Sequence, residues 1–405
     1  MTNIITDEKR VDEVLDRGVL KDFLPTKKGF KERLMSGDCL RFYIGVDPTA
    51  KALHLGHAQN LMLLEDFRRL GHEVIFLIGD FTGMIGDPGD KSSARVKQTP
   101  EEVQENLKGW VEQTKNILSF ENKENPVLVK YNSEWLGKLN FAEVLELASN
   151  FTVQQMLERD MFEKRMEKGT PIYVHEFMYP LMQGYDSVAM EVDVEMCGTD
   201  QIFNALAGRT LLQKLKGKEK FVIANHLIAD EKTGQLMSKS NGTGVFLDLE
   251  PKDLFGAIMS QTDGMIRPLA VGCTRLSLEK IEELVQAVNP RDAKIELAFE
   301  ITKIFHGEEE AIKAQDYFIN TFSKKEISVE DMEELKITVD NRLMDVLVGA
   351  ELAESNADAK RKIKQGGVSV DDKKIIDIST TITDEMNDKI LKVGKKEFRR
   401  LVTGN

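Results

Sequence analysis

The stretch LRFYIGVDPTAKALHLGHAQNLMLLEDFRRLGHEVIFLIGD, residues 40–80, decides the fold. Its opening residues, 40–46, read as a buried strand closed by the turn Asp47-Pro48-Thr49-Ala50. From Leu55 to Gly71 apolar residues recur at spacings of three and four and end on a glycine, the pattern of an amphipathic helix and its stop. Residues 73–80 read as a second buried strand. Strand, helix and strand within about 40 residues predict a parallel α/β sheet, because parallel neighbours need a crossover and a helix is the usual one.

His54 and His57, two of only six histidines, stand where the loop gives way to that helix. Helix N-termini leave backbone N–H groups unpaired and carry a partial positive charge, so they attract anions. Two imidazoles add donors for phosphate oxygens, and Gly56, lacking a Cβ, lets a flat ligand lie against the backbone. Open parallel sheets place ligands at such strand-to-helix turns. Two other readings stand beside this one. A metal site needs a third ligand, and none is near in sequence. A histidine pair satisfied inside a core needs only hydrogen-bond partners. The phosphate loop G-x-x-x-x-G-K-[ST] does not occur, which disfavours a Walker-type ATPase.

Outward from this unit, residues 1–37 read as short helices, and TPEEVQENLKGWVEQTKNIL (99–118) as a helix started by Thr99, Pro100 and two glutamates. NPVLVKYNSEWL (125–136) supplies a strand, 140–215 reads as mostly helical, and FVIANHLI (221–228) supplies a further strand. Residues 251–335 read as a charged helical bundle. The chain is 405 residues long with 41% hydrophobic residues and a net charge of -13, so it can bury a core and does not bind nucleic acid by bulk charge. Cys39, Cys197 and Cys273 are far apart and form no disulfide framework, as in a reducing cytoplasm. The polar N-terminus is no secretory signal, and no apolar run approaches membrane-spanning length.

Composition shifts near residue 338. Residues 341–405 carry 13 Lys+Arg against 11 Asp+Glu, while the remainder carries 42 against 57. In this tail NRLMDVLVG reads as one helix, SNADAKRKIKQGG as a second between a Ser/Asn cap and two glycines, and VSVDDKKI as a short hairpin. Lys360, Arg361, Lys362 and Lys364 cluster on the second helix, a solvated face when read alone.

A second motif, EKTGQLMSKSNGTG (231–244), follows a buried strand and reads by itself as a mobile surface loop. As a functional arm it would bring Lys239 to a polyphosphate, with glycines at 234, 242 and 244 as hinges. H-x-G-H followed by M-S-K-S about 180 residues later resembles the class I aminoacyl-tRNA synthetases. FYIGVDPTAKALHLGH, GDFTGMIGDPGDKSSAR, YPLMQGYD and GTDQ narrow the resemblance, which covers nearly the whole chain, to the bacterial-type tyrosyl family.

That resemblance implies a Rossmann-type parallel-sheet domain with a helical insertion over residues 1–245. It implies a helical anticodon-side domain over 246–337 and, over 338–405, a small α+β RNA-binding domain similar to a module of a small-subunit ribosomal protein. It also implies ATP as a substrate with Mg2+ carried on its phosphates, no tightly bound cofactor, L-tyrosine and tRNA(Tyr) as the other substrates, a symmetric homodimer and a cytoplasmic location. By position, Tyr43 and Asp186 would hold the phenol, with Tyr179, Gln183 and Gln201 around the α-ammonium and carboxylate, joined by Thr82 and Asp87. Asp47, Gly56, Asn60, Gly198, Asp200 and Ser240 would bind ATP; His54, His57 and Lys239 would act on its phosphates, with Lys91 and Arg95 near the pyrophosphate. Lys360, Arg361, Lys362 and Lys364 would grip tRNA by phosphate contacts and shape.

Physical reading supports parts of this. A pocket that prefers tyrosine to phenylalanine must pair the phenol, since phenylalanine then leaves buried polar groups unsatisfied. The spacings of Tyr179, Gln183 and Asp186, four and three, put all three on one side of a helix. Read alone, Tyr43 would be a core aromatic, Asp87 a turn residue, and Lys91 and Arg95 solvated charges. The chain departs from the family pattern at Leu236, where lysine is common, at Asn60, where threonine is common, and at Ile202, where an aromatic is common. The rival readings are an RNA-binding paralogue without catalysis, a nucleotidyltransferase acting on a small metabolite, and a tryptophanyl enzyme.

Overall fold

The computed structural model describes residues 3–88, 99–237, 242–322, 333–371, 373–394 and 397–403. The chain divides into two compact units, residues 1–315 and 316–405.

The first unit is built on a six-stranded sheet: β1 (Leu20–Leu24), β2 (Arg41–Val46), β3 (Glu73–Ile78), β4 (Leu128–Tyr131), β5 (Val194–Gly198) and β6 (Phe221–Asn225). Their spatial order is β1-β6-β5-β2-β3-β4. Strands β2 to β6 run parallel, and β1 pairs antiparallel with β6 at one edge. The continuous apolar runs in β2 and β3 follow from helices covering both faces, which leaves neither face free to alternate. The helix Leu55–Arg69 buries Leu55, Ala58, Leu61, Leu64 and Phe67, and the Phe67 ring stacks on Phe42 of β2 at 4.3 Å between centroids.

Two strands of this sheet escape the sequence reading. Strand β1 lies in a region read as short helices, because Lys21 and Asp22 break its apolar run and Pro25 closes it; edge strands tolerate both. Strand β5 lies in a region read as mostly helical, because Glu195, itself buried, interrupts an otherwise apolar run. The segment 99–118, read as one helix, is two, Pro100–Leu107 and Trp110–Thr114, broken at Gly109 with φ of 92°.

Helices Met178–Met190 and Ile202–Lys216 lie close together where Gly184 meets Gly208; a Cβ on Gly208 would stand 3.3 Å from the Gly184 Cα. The charged segment read as a bundle contains helices Pro251–Met259, Ile266–Cys273, Leu278–Val285 and Pro290–His306, with Leu254, Phe255, Leu297 and Ile301 buried among them.

The second unit holds a five-stranded sheet, β7 (Glu334–Ile337), β8 (Val368–Val370), β9 (Lys373–Lys374), β10 (Ile390–Val393) and β11 (Glu397–Thr403), in the order β7-β11-β10-β8-β9. Helices Leu343–Gly349 and Asn356–Lys364 share its core, which includes Leu343, Leu347, Ile363, Val368 and Leu391. The hairpin and both helices fall where the sequence places them, with Ser355 capping the second helix. No helix among the described residues is long and apolar enough to cross a membrane.

Candidate active site

From β2 the chain proceeds to β3 on one side and later returns to β5 on the other. The order therefore reverses between β2 and β5, and a crevice opens there at the strands' carboxyl ends. A cavity of about 560 Å³ occupies it. Every expected tyrosine- and ATP-site residue among the described ones lines this cavity: Tyr43, Asp47, His54, Gly56, His57, Asn60, Thr82, Asp87, Tyr179, Gln183, Asp186, Gly198, Asp200 and Gln201. Lys91, Arg95, Lys239 and Ser240 lie outside the described residues.

The histidine pair closes the start of the helix Leu55–Arg69 as a reciprocal cap. His54 Nδ1 accepts from the Gly56 N–H at 3.1 Å, and His57 Nδ1 accepts from the His54 N–H at 3.2 Å. These are the duties that Ser/Thr and Glu/Gln perform in an ordinary capping box. A neutral imidazole accepting at Nδ1 carries its proton on Nε2, so both rings keep one N–H donor for another partner. Burial lowers the pKa of His54, and burial together with His54 lowers that of His57 to about 3. The rings are thus neutral donors at neutral pH. Gly56 has a second use beside the one its lack of a Cβ suggests. A Cβ there would meet the His54 ring at 2.8 Å, so the glycine clears space for the cap as well as for any ligand.

A stability consequence follows. Burial also lowers the pKa of His72, whose side chain is fully buried, to about 4. In the unfolded chain His54, His57 and His72 titrate near 6.5, so below that pH the unfolded state binds more protons. Their contribution is fully present above about pH 6.5 and is lost as pH falls toward the folded values. Denaturant midpoints should therefore drop between about pH 7.5 and about pH 5. The variant His72→Asn, whose Oδ1 retains an acceptor for the Leu40 N–H that His72 Nδ1 now accepts at 3.3 Å, should shrink that drop; an undiminished drop would refute the assignment.

Asp47 joins the two ends of the cavity. Its Oδ1 accepts from Thr82 Oγ1 at 2.6 Å and its Oδ2 from Tyr179 OH at 2.7 Å. Gly79 leaves room for this junction, since a Cβ there would stand 2.1 Å from Asp47 Oδ1. Asn60 accepts from Asn225 Nδ2 at 2.6 Å, and Asp200 Oδ2 accepts from Gln201 Nε2 at 3.3 Å.

At the blind end Tyr43 and Asp186 are almost fully buried. Asp186 Oδ1 accepts from Trp135 Nε1 at 2.7 Å and Oδ2 from Asn132 Nδ2 at 3.3 Å. Burial pushes the Asp186 carboxyl well above the usual carboxylate range, against the pull of those two donors. Burial likewise keeps the Tyr43 and Tyr179 phenols protonated. Asp87 is held by Arg159, whose Nη2 reaches both carboxylate oxygens at 2.9 and 3.0 Å, and by Gln201 Nε2 at 3.0 Å. Asn132, Trp135 and Arg159 were invisible in the sequence; each reaches the site from 50 or more residues away and belongs to no motif.

On the second unit's basic helix, Asp358 pairs with Arg361 at 2.6 Å and Lys362 at 2.9 Å, so two of the four expected tRNA contacts are already engaged. Among the described residues Lys360 and Lys364 have no ion-pair partner. No group of three or more His, Cys, Asp or Glu among the described residues is arranged to hold a metal ion.

Residues 35–323 match the family of tRNA synthetases class I (W and Y), and residues 325–401 match the tyrosine--tRNA ligase SYY-like C-terminal domain. The chain is 41% identical over 406 residues to the tyrosine--tRNA ligase of Thermotoga maritima, covering 99% of each, and 42% identical over 417 residues to that of Carboxydothermus hydrogenoformans, covering 98% of this chain and 99% of that one. It belongs to the class I tRNA synthetases of this family, among the tyrosine--tRNA ligases. Members of the class use ATP. Solved structures with this fold include a C-terminally truncated mitochondrial tyrosyl-tRNA synthetase of Aspergillus nidulans (TM-score 0.66, 23% identity, 77% of this chain and 94% of that one). Another is the tyrosyl-tRNA synthetase of Archaeoglobus fulgidus complexed with L-tyrosine (TM-score 0.58, 20% identity, 76% and 100%).

Proposed function

We propose that the cavity takes L-tyrosine at its blind end and ATP beside the histidine cap. The chain joins them as tyrosyl-adenylate, then passes the tyrosyl group to a hydroxyl of the terminal ribose of tRNA(Tyr), breaking the acyl–phosphate bond and releasing AMP. The observation that carries this reading is the meeting, in one crevice, of a histidine-capped helix start with a buried pocket end that pairs a phenol and a carboxyl.

In the first step a tyrosine carboxylate oxygen attacks the α-phosphorus of ATP, an O–P bond forms, and the bond to the leaving pyrophosphate breaks. The attacking carboxylate is already deprotonated, so no general base is needed; positioning and stabilisation of phosphate charge do the rest. His54 and His57 supply neutral N–H donors, and Lys239, Lys91 and Arg95 positive charge. Magnesium arrives on the ATP phosphates as part of that substrate. Tyr43 and Asp186 meet the phenol; Thr82, Asp87, Tyr179, Gln183 and Gln201 surround the amino and carboxyl groups. Asp47, Gly56, Asn60, Gly198, Asp200 and Ser240 bind ATP. Lys360, Arg361, Lys362 and Lys364 contact tRNA phosphates, with Lys360 and Lys364 foremost. The working form is a cytoplasmic homodimer, with domain boundaries near 245 and 337.

Pyrophosphate exchange run with each of the twenty amino acids tests the reading. Tyrosine alone should drive it. Exchange with tryptophan, or none with any amino acid, would overturn it.

A further inference from the structure

The helix wall behind the ring slot contains a charge cluster that neither capping nor the reaction explains. Lys220 is fully buried, and its Nζ pairs with Glu195 Oε2 and donates to Ser187 Oγ at 2.6 Å. Glu195 lies on β5 and lines the cavity; its Oε1 accepts from Gln183 Nε2 at 3.0 Å. Ser187 Oγ donates to Glu195 Oε2 at 3.2 Å and touches Tyr43 OH at 3.1 Å. Gly208 makes the room: a Cβ there would be 2.6 Å from Lys220 Nζ and 2.9 Å from Ser187 Oγ. Burying two charges costs desolvation that packed apolar residues of similar volume would avoid, so stability does not explain why the cluster is there.

The protons can be assigned. An ammonium only donates, so Ser187 Oγ accepts from Lys220. A serine has one proton, and that proton goes to Glu195. The Ser187–Tyr43 contact must then use the Tyr43 proton, which leaves the Tyr43 oxygen facing the cavity with lone pairs alone. We infer that Lys220 and Glu195, acting through Ser187, are positioning residues that turn the Tyr43 hydroxyl into an acceptor toward the ligand, so that the slot selects a para substituent able to donate a hydrogen bond. The inference deepens the tyrosine reading above and rests on it.

The test is tyrosine-dependent pyrophosphate exchange, with 4-amino-L-phenylalanine, which carries donor hydrogens at the para position, as the comparison substrate. In Ser187→Ala the Tyr43 proton is released and can point at the ligand. The ratio of kcat/KM for the amino analogue to that for tyrosine should then fall about tenfold, roughly what one misoriented hydrogen bond is worth. Ser187→Thr keeps the hydroxyl and should hold the ratio within about twofold of the starting protein. The neutral double variant Lys220→Met with Glu195→Gln should lower the ratio in the same direction, and it covers the case in which Ser187→Ala fails to fold. A purely structural role would reduce both substrates alike. An unchanged ratio in Ser187→Ala, or an equal change in Ser187→Thr, would overturn the inference while leaving tyrosine activation standing. Absence of tyrosine-driven exchange in the unaltered protein would instead strike the underlying reading.

Discussion

In Asp186→Asn, kcat/KM for tyrosine in pyrophosphate exchange should fall by about tenfold, with the KM for ATP little changed. Two effects are separable. The ligand phenol loses its hydrogen bond to the carboxyl, roughly 0.5–1.5 kcal/mol. The amide also sets an NH2 group against Asn132 Nδ2, or, if flipped, against Trp135 Nε1, because both current partners are donors. One buried donor then goes unpaired, which costs about 1–3 kcal/mol of folding stability with or without ligand and is read in a melting curve, not in kcat/KM. Phenylalanine, which never used the carboxyl, should lose far less, so the tyrosine preference narrows. Preferences of about 10⁵ over phenylalanine are a known property of tyrosyl-tRNA synthetases, and that figure is taken over from them. A variant that keeps its full preference would show that Asp186 does not meet the phenol.

His57→Ala should lower kcat for exchange by about 10² or more at saturating tyrosine and ATP, the scale for removing one preorganised transition-state donor. The same change removes half of the reciprocal cap, which costs about 1 kcal/mol of stability. Rate and stability are separable by measurement: a melting curve reads the cap, and kcat under conditions where the protein stays folded reads the donor. Since burial keeps His57 uncharged well below neutral pH, the rate should show no break near pH 6.5 that the variant abolishes. A variant with unchanged kcat would remove His57 from the chemistry and leave it as a cap alone.

What could be read from the sequence depended on whether side-chain pattern and backbone role agreed. Strands β2 and β3 and the helix between them were legible because both faces are buried and the apolar runs are unbroken. Strand β5 was not, because Glu195 is its second residue, and a carboxylate inside a buried run reads as a break until its partner Lys220, just before the neighbouring strand, is seen. His54 and His57 stood out by type and spacing, yet their capping role did not, since histidine is not among the usual N-cap residues. The pocket polar groups were legible only through resemblance. Alone, Tyr43 passed for a core aromatic and Asp87 for a turn residue, and the contacts to Asn132, Trp135 and Arg159 are made by tertiary folding, not local pattern.

The two imidazoles that grip the backbone at this helix start leave little room for gradual drift. Serine at position 54 could restore the hydrogen bond to the helix start but would forfeit a donor nitrogen; lysine at 57 could offer a donor but no acceptor for the amide of residue 54. An uncharged ring with one nitrogen of each kind answers both demands at once, and the amides of asparagine and glutamine carry the same two functions on a different geometry. A lineage that takes a charged or apolar residue at either position must find the missing half elsewhere in the same step.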